Sequence, residues 1–260
     1  MGDEVTQAAA ASVAKVIVVM PAYNAARTLA DTVARFPPDF AHEIILVDDS
    51  SRDDTVEVAK RLGESMALVT IPHPHNVGYG GNQKTCYMEA LRRGADVIVM
   101  VHPDGQYDPA FLPEIVKPIL RGESDVVLGS RMLRPGHARA GGMPWWKRFA
   151  NRALTGLENV VFRRHLSEYH TGYRAFSRRF LQTVPFLRNS RDFVFDSEML
   201  AQAVAFDFRI SEIPVTTKYF EEASSVSFKA SAIYGTKTLW VLVRFALHRL
   251  GIVPSPLFRP

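Results

Sequence analysis

Short apolar runs alternate with segments of helical pattern over the first half of the chain, and this alternation constrains the fold more than any other feature. The apolar runs are predicted strands at 16–20, 44–47, 66–71, 97–101 and 126–128. The segments between them are predicted helices at 27–36, 53–62, 81–93 and 109–120. Repeated strand–helix–strand units build a parallel sheet with helices on both faces. The sequence therefore predicts an α/β fold with a nucleotide-binding first half.

The alternation stops after Arg131, where we expect an acceptor-binding half. The predicted elements there are a Gly/Pro-rich loop at 134–144, a helix at 145–162, a turn at 170–174, a helix at 195–206, a strand at 208–217 and a helix at 233–250. We expect three parts in the chain: a flexible tail at 1–15, one domain at 16–229 and an amphipathic helical extension at 230–260.

Composition and charge narrow the class of protein. The chain has 260 residues, of which 47% are apolar, and its single Cys86 excludes a disulfide framework or a cysteine-based zinc site. No apolar run approaches a membrane span, so we expect a cytoplasmic protein. The segment 131–191 contains thirteen Lys or Arg against two acids, Glu158 and Glu168. This asymmetry predicts an anionic partner, and the absence of a nucleic-acid-binding motif argues against DNA or RNA.

The predicted C-terminal helix has basic residues on one side of an apolar helix. Lys237, Arg244 and His248 follow one another at spacings of seven and four. This stripe indicates either peripheral contact with an anionic membrane, such as the inner face of the plasma membrane, or a helix packed on the domain with one wet edge.

Polar residues follow three of the predicted strands at the point where each strand ends. Tyr23 follows the first strand, Asp48 the second and Asp104 the fourth. The carboxyl ends of parallel strands meet at one edge of a sheet, so these side chains are expected to share a crevice. Tyr23 can stack on a base, and Asp48 can accept a hydrogen bond from a base or a ribose. Asp104 with Gln106 can hold Mg²⁺ or Mn²⁺ against a diphosphate.

Each of these motifs taken alone has a simpler interpretation. The pair Asp48 and Asp49 is also an ordinary turn or helix-capping device, and Asp104-Gly105 is also a turn signal. The glycines of Gly78-Tyr79-Gly80-Gly81 look like a dinucleotide fingerprint but follow the third strand. They are expected to let the backbone approach a ligand or a neighbouring helix.

In combination, the motifs resemble the family 2 glycosyltransferases of the GT-A fold, especially the branch of dolichyl-phosphate mannosyltransferase and the polyprenyl-phosphate glycosyltransferases. The resemblance covers 16–225. It is carried by the segments Val18-Val19-Met20-Pro21-Ala22-Tyr23-Asn24, Val47-Asp48-Asp49-Ser50-Ser51-Arg52-Asp53-Asp54-Thr55, Asn76-Val77-Gly78-Tyr79-Gly80, Asp104-Gly105-Gln106, Gly129-Ser130-Arg131 and His170-Thr171-Gly172-Tyr173-Arg174.

The resemblance implies a role for each matching residue. Those expected to bind the nucleotide or line its site are Pro21, Ala22, Tyr23, Asn24, Asp48, Asp49, Ser50, Gly78 and Gly80. The metal ligands are expected to be Asp104 and Gln106, with His102 as a further candidate, and Arg131 and Arg174 are expected near phosphates. Two positions depart from the family pattern: Ala25 stands where a Glu is common, and His102 replaces the first acid of an Asp-x-Asp motif. A neutral imidazole is a poorer ligand than a carboxylate for a hard cation, so we expect a weakened metal site.

The resemblance further implies transfer of a hexose from a UDP- or GDP-linked sugar with inversion at the anomeric carbon. The expected acceptor is a polyprenyl phosphate or a cell-envelope saccharide. A hydroxyl acceptor needs a general base, whereas a phosphate is already ionised at neutral pH. Candidate bases are Glu168, Asp192, Asp196 and Glu198, and Glu168 occupies the place where relatives have an acid. A non-catalytic sugar-nucleotide-binding protein and a nucleotidyltransferase are the alternative functions.

Overall fold

The computed structural model of the chain describes residues 14–38, 40–218 and 228–260, and it describes side chains in the last range from 232 onward. The tail predicted at 1–15 lies outside the described residues except for Ala14 and Lys15.

A mixed sheet of seven strands forms the centre of the protein. Its strands are β1 Val16–Ala22, β2 Glu43–Asp48, β3 Leu68–Pro72, β4 Val97–Met100, β5 Val126–Ser130, β6 Arg174–Ser177 and β7 Ile210–Pro214. They lie in the order β3-β2-β1-β4-β6-β5-β7. All neighbouring pairs are parallel except the two that involve β6, which runs antiparallel to β4 and β5.

Helices cover both faces of this sheet. They are α1 Leu29–Ala34, α2 Thr55–Gly63, α3 Tyr79–Arg92, α4 Leu112–Leu120, α5 His137–Ala140, α6 Trp145–Phe162, α7 Arg178–Thr183, α8 Phe195–Ala205 and α9 Phe228–Arg249. Short 3₁₀ turns occur at Pro109–Phe111, Phe186–Arg188 and Pro256–Phe258.

Alternate residues of each central strand enter two separate cores. On β1, Ile17 and Val19 pack with residues of α3, α6, α7, α8 and α9, whereas Val16, Val18 and Met20 pack with α1, α2 and α4. Successive side chains of a strand point to opposite faces, so a fully apolar strand requires cover on both. This explains the unbroken apolar run in β1 and confirms the predicted α/β fold.

The structure corrects the prediction in the second half of the chain. The segment predicted as a turn at 170–174 leads directly into β6, which lies in the interior of the sheet, and α7 was not predicted. The strand is four residues long and starts with a charged arginine, so no apolar pattern marks it. The predicted loop at 134–144 contains the short helix α5.

Helix α9 packs on the domain, and of its basic stripe Lys237 is exposed whereas Arg244 and His248 are half-buried. Val241, Leu242 and Phe245 are buried in the core that contains α8. The Arg244 guanidinium donates to Ser255 Oγ at 3.3 Å, and His248 Nδ1 accepts from the Ser255 N–H at 3.2 Å. The structure therefore shows that the helix packs on the domain, and contact with a membrane stays a prediction.

Gly80 lies where α3 meets the segment that precedes α8. A Cβ at Gly80 would come within 2.5 Å of the Ser190 carbonyl oxygen and 2.8 Å of Phe195 Cβ. The Gly80 N–H donates to the Arg191 carbonyl at 2.8 Å, which fixes the two backbones at this separation. The close approach of two backbones thus requires glycine here.

We expect Gly80→Ala to lower the free energy of unfolding by about 1–3 kcal/mol, as overpacking of a rigid contact does. Gly156→Ala on α6 is the matched control, since a Cβ there meets nothing within 4 Å. It should raise the free energy of unfolding by up to about 1 kcal/mol because alanine is the better helix former. Urea denaturation of both variants measures this, and an equal effect in the two would contradict the packing argument.

Candidate active site

The ends of β1 and β2 are joined by a network centred on Asp48. Its carboxylate accepts hydrogen bonds from the backbone N–H of Ser51 at 3.0 Å and from the Ser51 hydroxyl. Ser51 Oγ in turn accepts from the N–H of Asn24 at 2.8 Å, and Asn24 Oδ1 accepts from the N–H of Arg52 at 2.8 Å. The structure thus brings together the segments that follow β1 and β2. Asp48 is buried there, and Tyr23 is half exposed.

Asn24 and Ser50 both adopt left-handed backbone conformations, with φ of 52° and 62°. Residues other than glycine rarely adopt this conformation, and asparagine tolerates it best. Such strain persists where surrounding contacts hold it in place, and it concentrates at ligand-binding loops. These two strand ends therefore have the local geometry expected of a binding edge. Pro21 and Ala22 contribute the buried last residues of β1 below it.

Asp49 faces the interior and holds the loop before α3. Its carboxylate accepts from the N–H groups of Val77 at 2.9 Å and Gly78 at 3.0 Å, and it pairs with His73 Nδ1 at 3.0 Å. Gly78 has φ of 85°, and a Cβ there would meet the Arg191 carbonyl oxygen at 2.6 Å. Asp49, Gly78 and Gly80 were predicted to line the nucleotide site. In the structure, Asp49 holds the loop before α3, and the two glycines allow this loop and the start of α3 to pack against residues 190–191.

Residues of the acidic turn after β4 line two cavities. Asp104 Oδ1 accepts from the N–H of Gln106 at 3.0 Å, and Gly105 turns the chain with φ of 71°. Asp104 and Gly105 line a cavity of ≈ 440 Å³ against α1. Gln106 lines a second cavity of ≈ 310 Å³. Two residues of one short turn, Asp104 and Gln106, therefore line two different cavities.

His102 packs against Tyr79, one of the residues that line this second cavity. Its Nε2 lies 3.2 Å from the Tyr79 hydroxyl, and its ring stacks on the Tyr79 ring at 5.6 Å between centroids. The Tyr79 hydroxyl donates to Asp196 Oδ2 at 2.8 Å. The contact with Tyr79 engages Nε2, which gives His102 a structural partner on the cavity side.

The described residues bring no group of three or more His, Cys, Asp or Glu side chains together in a way that could hold a metal ion. The turn contains the Asp104 carboxylate and the Gln106 amide, whose oxygens are ligands of the type that Mg²⁺ and Mn²⁺ prefer. This donor set suits a cation that takes its remaining ligands from a diphosphate and water, as Mg²⁺ commonly does. The residues present therefore fit a shared site rather than a site made by protein alone.

Arg131 lines the second cavity and is held from behind by Glu168. The Arg131 Nε donates to Glu168 Oε1 at 2.9 Å, and its backbone N–H donates to Oε2 at 2.8 Å. Asn151 Nδ2 donates to the same carboxylate at 2.8 Å. Burial alone would raise the pKa of Glu168, but Arg131 and Asn151 outweigh burial and hold the pKa below its usual range.

Glu168, predicted as a candidate general base, is enclosed in the structure. The residue is 0% exposed, and both carboxylate oxygens accept hydrogen bonds from Arg131. A base must reach the proton that it removes, and this carboxylate is enclosed by its partners. Glu168 positions Arg131.

Arg174, the first residue of β6, is 1% exposed and lies at the wall of the same cavity. Its guanidinium donates to the carbonyl oxygens of Thr171 at 2.7 Å, Tyr169 at 3.1 Å and Asp196 at 3.1 Å. It also lies 3.5 Å from the Asp196 carboxylate. Arg174 therefore fixes the turn before β6 and supplies positive charge beneath the cavity surface.

His170 forms a third buried charged group in this cavity. Its Nε2 lies 3.0 Å from Glu158 Oε2 on α6, and its Nδ1 lies 2.9 Å from the Tyr234 hydroxyl on α9. Burial alone would lower the pKa of His170, but Tyr234 and Glu158 outweigh burial and raise the pKa to about 10. His170 is therefore a cation at neutral pH and links two helices.

Several cavity residues were not among the predicted site residues. They are Tyr79, Met143, Trp146, Lys147, Asn151, Leu154, Phe193 and Tyr234. Most come from α6 and α9, which the sequence describes only as amphipathic or apolar helices. The Trp146-Lys147 pair inside the basic segment was the available signal, since it combines an aromatic ring with a cation.

A family model for glycosyl transferase family 2 matches residues 17–184. This match covers more than half of the chain and includes both strand ends, the acidic turn and Arg131. The chain belongs to glycosyl transferase family 2. It is a glycosyltransferase, as predicted, and a nucleotide-linked sugar is its donor.

Individual relatives extend over nearly all of this glycosyltransferase. A UDP-N-acetylglucosamine–dolichyl-phosphate N-acetylglucosaminyltransferase from Methanococcus voltae is 27% identical over 248 residues, which cover 90% of this chain and 97% of the relative. A low-salt glycan biosynthesis hexosyltransferase, Agl6, from Haloferax volcanii is 32% identical over 254 residues, 95% of this chain and 56% of the relative.

The fold is shared with solved structures. Glucosyl-3-phosphoglycerate synthase from Mycobacterium tuberculosis, crystallised with Mg²⁺ and UDP, matches with a TM-score of 0.65 at 19% identity. The match covers 93% of this chain and 81% of that one. This similarity confirms the predicted GT-A fold.

The raised pKa of His170 gives a testable dependence of stability on pH. A group whose pKa is higher in the folded state stabilises fully below its unfolded pKa and loses that contribution as pH rises through the folded value. We therefore expect the free energy of unfolding to fall between 6.5, the ordinary pKa, and about 10. Urea denaturation across this range, with NMR of the His170 imidazole, measures both quantities.

Glu158→Gln is the control for this effect, because it removes the anion beside the imidazole and keeps the shape of the side chain. In this variant the pKa of His170 should fall and the alkaline loss of stability attributed to His170 should shrink. An imidazole that titrates near its ordinary value in the parent protein would refute the assigned charge.

Proposed function

We propose that this chain transfers a hexose from a UDP- or GDP-linked sugar to a phosphate acceptor carried by a polyprenyl lipid. One observation carries the proposal: the cavity beside the acidic turn is lined by Arg131, Lys147, His170 and Arg174 together with apolar and aromatic side chains. The cationic side chains suit a phosphate. The apolar side chains, among them Trp146 and Leu154, suit the first part of a hydrocarbon chain.

The hydrogen bonds and ion pairs of the candidate bases support a phosphate acceptor rather than a hydroxyl acceptor. Glu198 is buried and accepts from the N–H of Ser190 at 2.6 Å, and Asp192 is paired with Lys237. Asp196 accepts from Tyr79 and Gln83 through its two different oxygens. A phosphate monoester has its second pKa at about 6 and is already a nucleophile at neutral pH. It therefore needs no base from the protein.

The donor is proposed to occupy the edge formed by Tyr23, Asn24 and Asp48. Tyr23 is exposed enough to stack on the base, and the Asp48 carboxylate is fixed by Ser51 so that its orientation is set before binding. Asp104 and Gln106 would hold a divalent cation against the diphosphate. When bound, that cation would stabilise the charge of the departing nucleoside diphosphate.

The proposed reaction is a direct displacement at the anomeric carbon. An acceptor phosphate oxygen forms the new bond to that carbon, and the bond to the donor diphosphate breaks with its electron pair leaving on the nucleotide. Arg131, held by Glu168, is fixed before substrate arrives, and such preorganised charge lowers the barrier without reorganisation during the reaction. The stereochemical outcome of this route is inversion.

Names of two similar proteins support parts of this proposal. The Methanococcus voltae relative is named for dolichyl phosphate as acceptor. The Mycobacterium tuberculosis synthase has been crystallised with Mn²⁺, UDP and phosphoglyceric acid, which supports a divalent cation and a nucleoside diphosphate on the donor side. A saccharide hydroxyl is the second candidate acceptor, favoured by Asp196 in the cavity wall if it exchanges its partners when substrate binds.

The acceptor is tested by supplying UDP-glucose, UDP-N-acetylglucosamine and GDP-mannose with Mn²⁺ and either a polyprenyl phosphate or an oligosaccharide. We expect transfer to the phosphate only, with nucleoside diphosphate released. The rate should fall as the pH drops through the second pKa of the acceptor, about 6, because the nucleophile becomes protonated. Transfer to the oligosaccharide alone would overturn the proposed acceptor.

Asp104→Asn tests the proposed cation site. We expect a loss of roughly 100-fold in kcat, the size seen when a group that stabilises developing charge is removed. Mn²⁺ titration in the presence of nucleoside diphosphate should show weaker binding. Asp31→Asn is the matched control, since Asp31 lines the same cavity from α1. Equal Mn²⁺ affinity in Asp104→Asn and the parent protein would remove Asp104 from the site.

A further inference from the structure

Two neighbouring helices carry apolar side chains on their outer faces. On α6 these are Trp145, Phe149, Leu157 and Val160, with Trp145 73% and Phe149 72% exposed. On α9 they are Ile233, Trp240 and Val243, with Trp240 60% exposed, and Leu250 follows directly after the helix. Each set recurs at intervals of three, four, seven or eight residues, which places it along one side of its helix. We call these eight residues the apolar face.

The two halves of the apolar face point the same way. Helices α6 and α9 pack side by side, with the Phe162 and Phe245 rings 4.9 Å apart and Leu154 beside Gly235. Both helices bury their inner residues, including Phe162, Val241 and Leu242, in the same core. Since the inner faces share one core, the outer faces are turned away from it on the same side of the molecule.

The apolar face lies next to residues that line the second cavity, which is the proposed acceptor site. Trp146, Lys147 and Ala150 of α6 line that cavity, and they alternate along the helix with the exposed Trp145 and Phe149. Tyr234 of α9 lines the cavity next to the exposed Ile233. A surface bound to the apolar face would therefore lie directly beside the cavity.

The charge of these two helices is strongly positive. Their sequences contain seven Lys or Arg and one acid, Glu158. Glu158 is buried and faces His170, so it contributes little to the outer surface. Arg152 and Arg249 are exposed on the helices that carry the apolar face. An apolar face with aromatic residues and adjacent cations is the pattern of helices that lie in the interface of an anionic bilayer.

We propose that the apolar face of α6 and α9 is a docking surface for an anionic lipid bilayer. Docking places the cavity entrance at the level of the lipid headgroups, where the phosphate of a polyprenyl lipid is found. Docking serves catalysis only if the acceptor is the proposed lipid phosphate, but binding to the bilayer itself requires no substrate. None of the helices that the structure describes is long and apolar enough to cross a membrane.

Vesicle flotation of the full chain tests the docking surface. The probes are vesicles of phosphatidylcholine alone and of phosphatidylcholine with 30% phosphatidylglycerol, without donor or acceptor. We expect binding to the anionic vesicles that weakens with added salt. Trp240→Ser and Phe149→Ser should each reduce the partition coefficient by about tenfold, which corresponds to one large apolar side chain withdrawn from the bilayer.

Leu120→Ser is the matched control. Leu120 is 48% exposed and ends α4, which covers the opposite face of the sheet. This variant should bind vesicles as the parent protein does. Arg152→Gln should reduce binding to anionic vesicles and leave binding to neutral vesicles unchanged, because Arg152 acts through charge.

The outcomes separate docking from the proposed reaction. Phe149→Ser and Trp240→Ser should keep the parent rate with a short, water-soluble prenyl phosphate and lose activity only toward acceptor in vesicles.

If vesicle binding is absent while the soluble acceptor is still used, docking is wrong and the proposed function stands. If vesicles bind but no phosphate acceptor is used, the proposed function is wrong and docking stands. A parent protein that is dimeric and ignores vesicles, with Trp240→Ser monomeric, would assign the apolar face to a second copy of the chain instead.

Discussion

The buried guanidinium of Arg174 is the group on which the acceptor side of this protein depends. A charge without solvent is tolerated only when it is paired and fully hydrogen-bonded. Three backbone carbonyls and the Asp196 carboxylate meet that requirement. They tie the start of β6 to the turn before it and to the first residues of α8, so the cavity wall, an interior strand and a core helix form one unit.

The same principle recurs around the cavity. Arg131 is fixed by Glu168, and His170 is held between Glu158 and Tyr234. In each case the anion lies behind the cation, away from the space where a ligand would sit. The cavity is therefore positively charged before any substrate enters. Because folding has already oriented these charges, no free energy is needed to orient them when the substrate binds. A phosphate acceptor matches this arrangement better than a neutral sugar hydroxyl.

Residue patterns were sufficient for the first half of the fold and for one edge of the site. Strands β1, β2 and β4 are continuous apolar runs, so their carboxyl ends and the placement of Tyr23, Asp48 and Asp104 followed from the rule for parallel sheets. Patterns failed where a residue's task depends on a distant partner. Glu168 was a candidate base because it is an acid in a motif, and Gly80 was expected to let the backbone approach a ligand or a neighbouring helix, but the motifs do not identify their partners, Arg131 and the Ser190 carbonyl. The stripe of Lys237, Arg244 and His248 was expected at the surface, yet Arg244 and His248 bond to Ser255.

The sequence by itself determined the α/β class, the family and the edge that bears Asp48 and Asp104, because apolar periodicity and strand-end motifs are local properties of the chain. Only the tertiary structure decided the direction of β6, the pairing of the buried charges and which side of α9 is exposed. Those features depend on contacts between residues far apart in the chain, such as Arg131 with Glu168 and His170 with Tyr234. The free energy of burying a charge is set by its partners, and a linear pattern does not specify them.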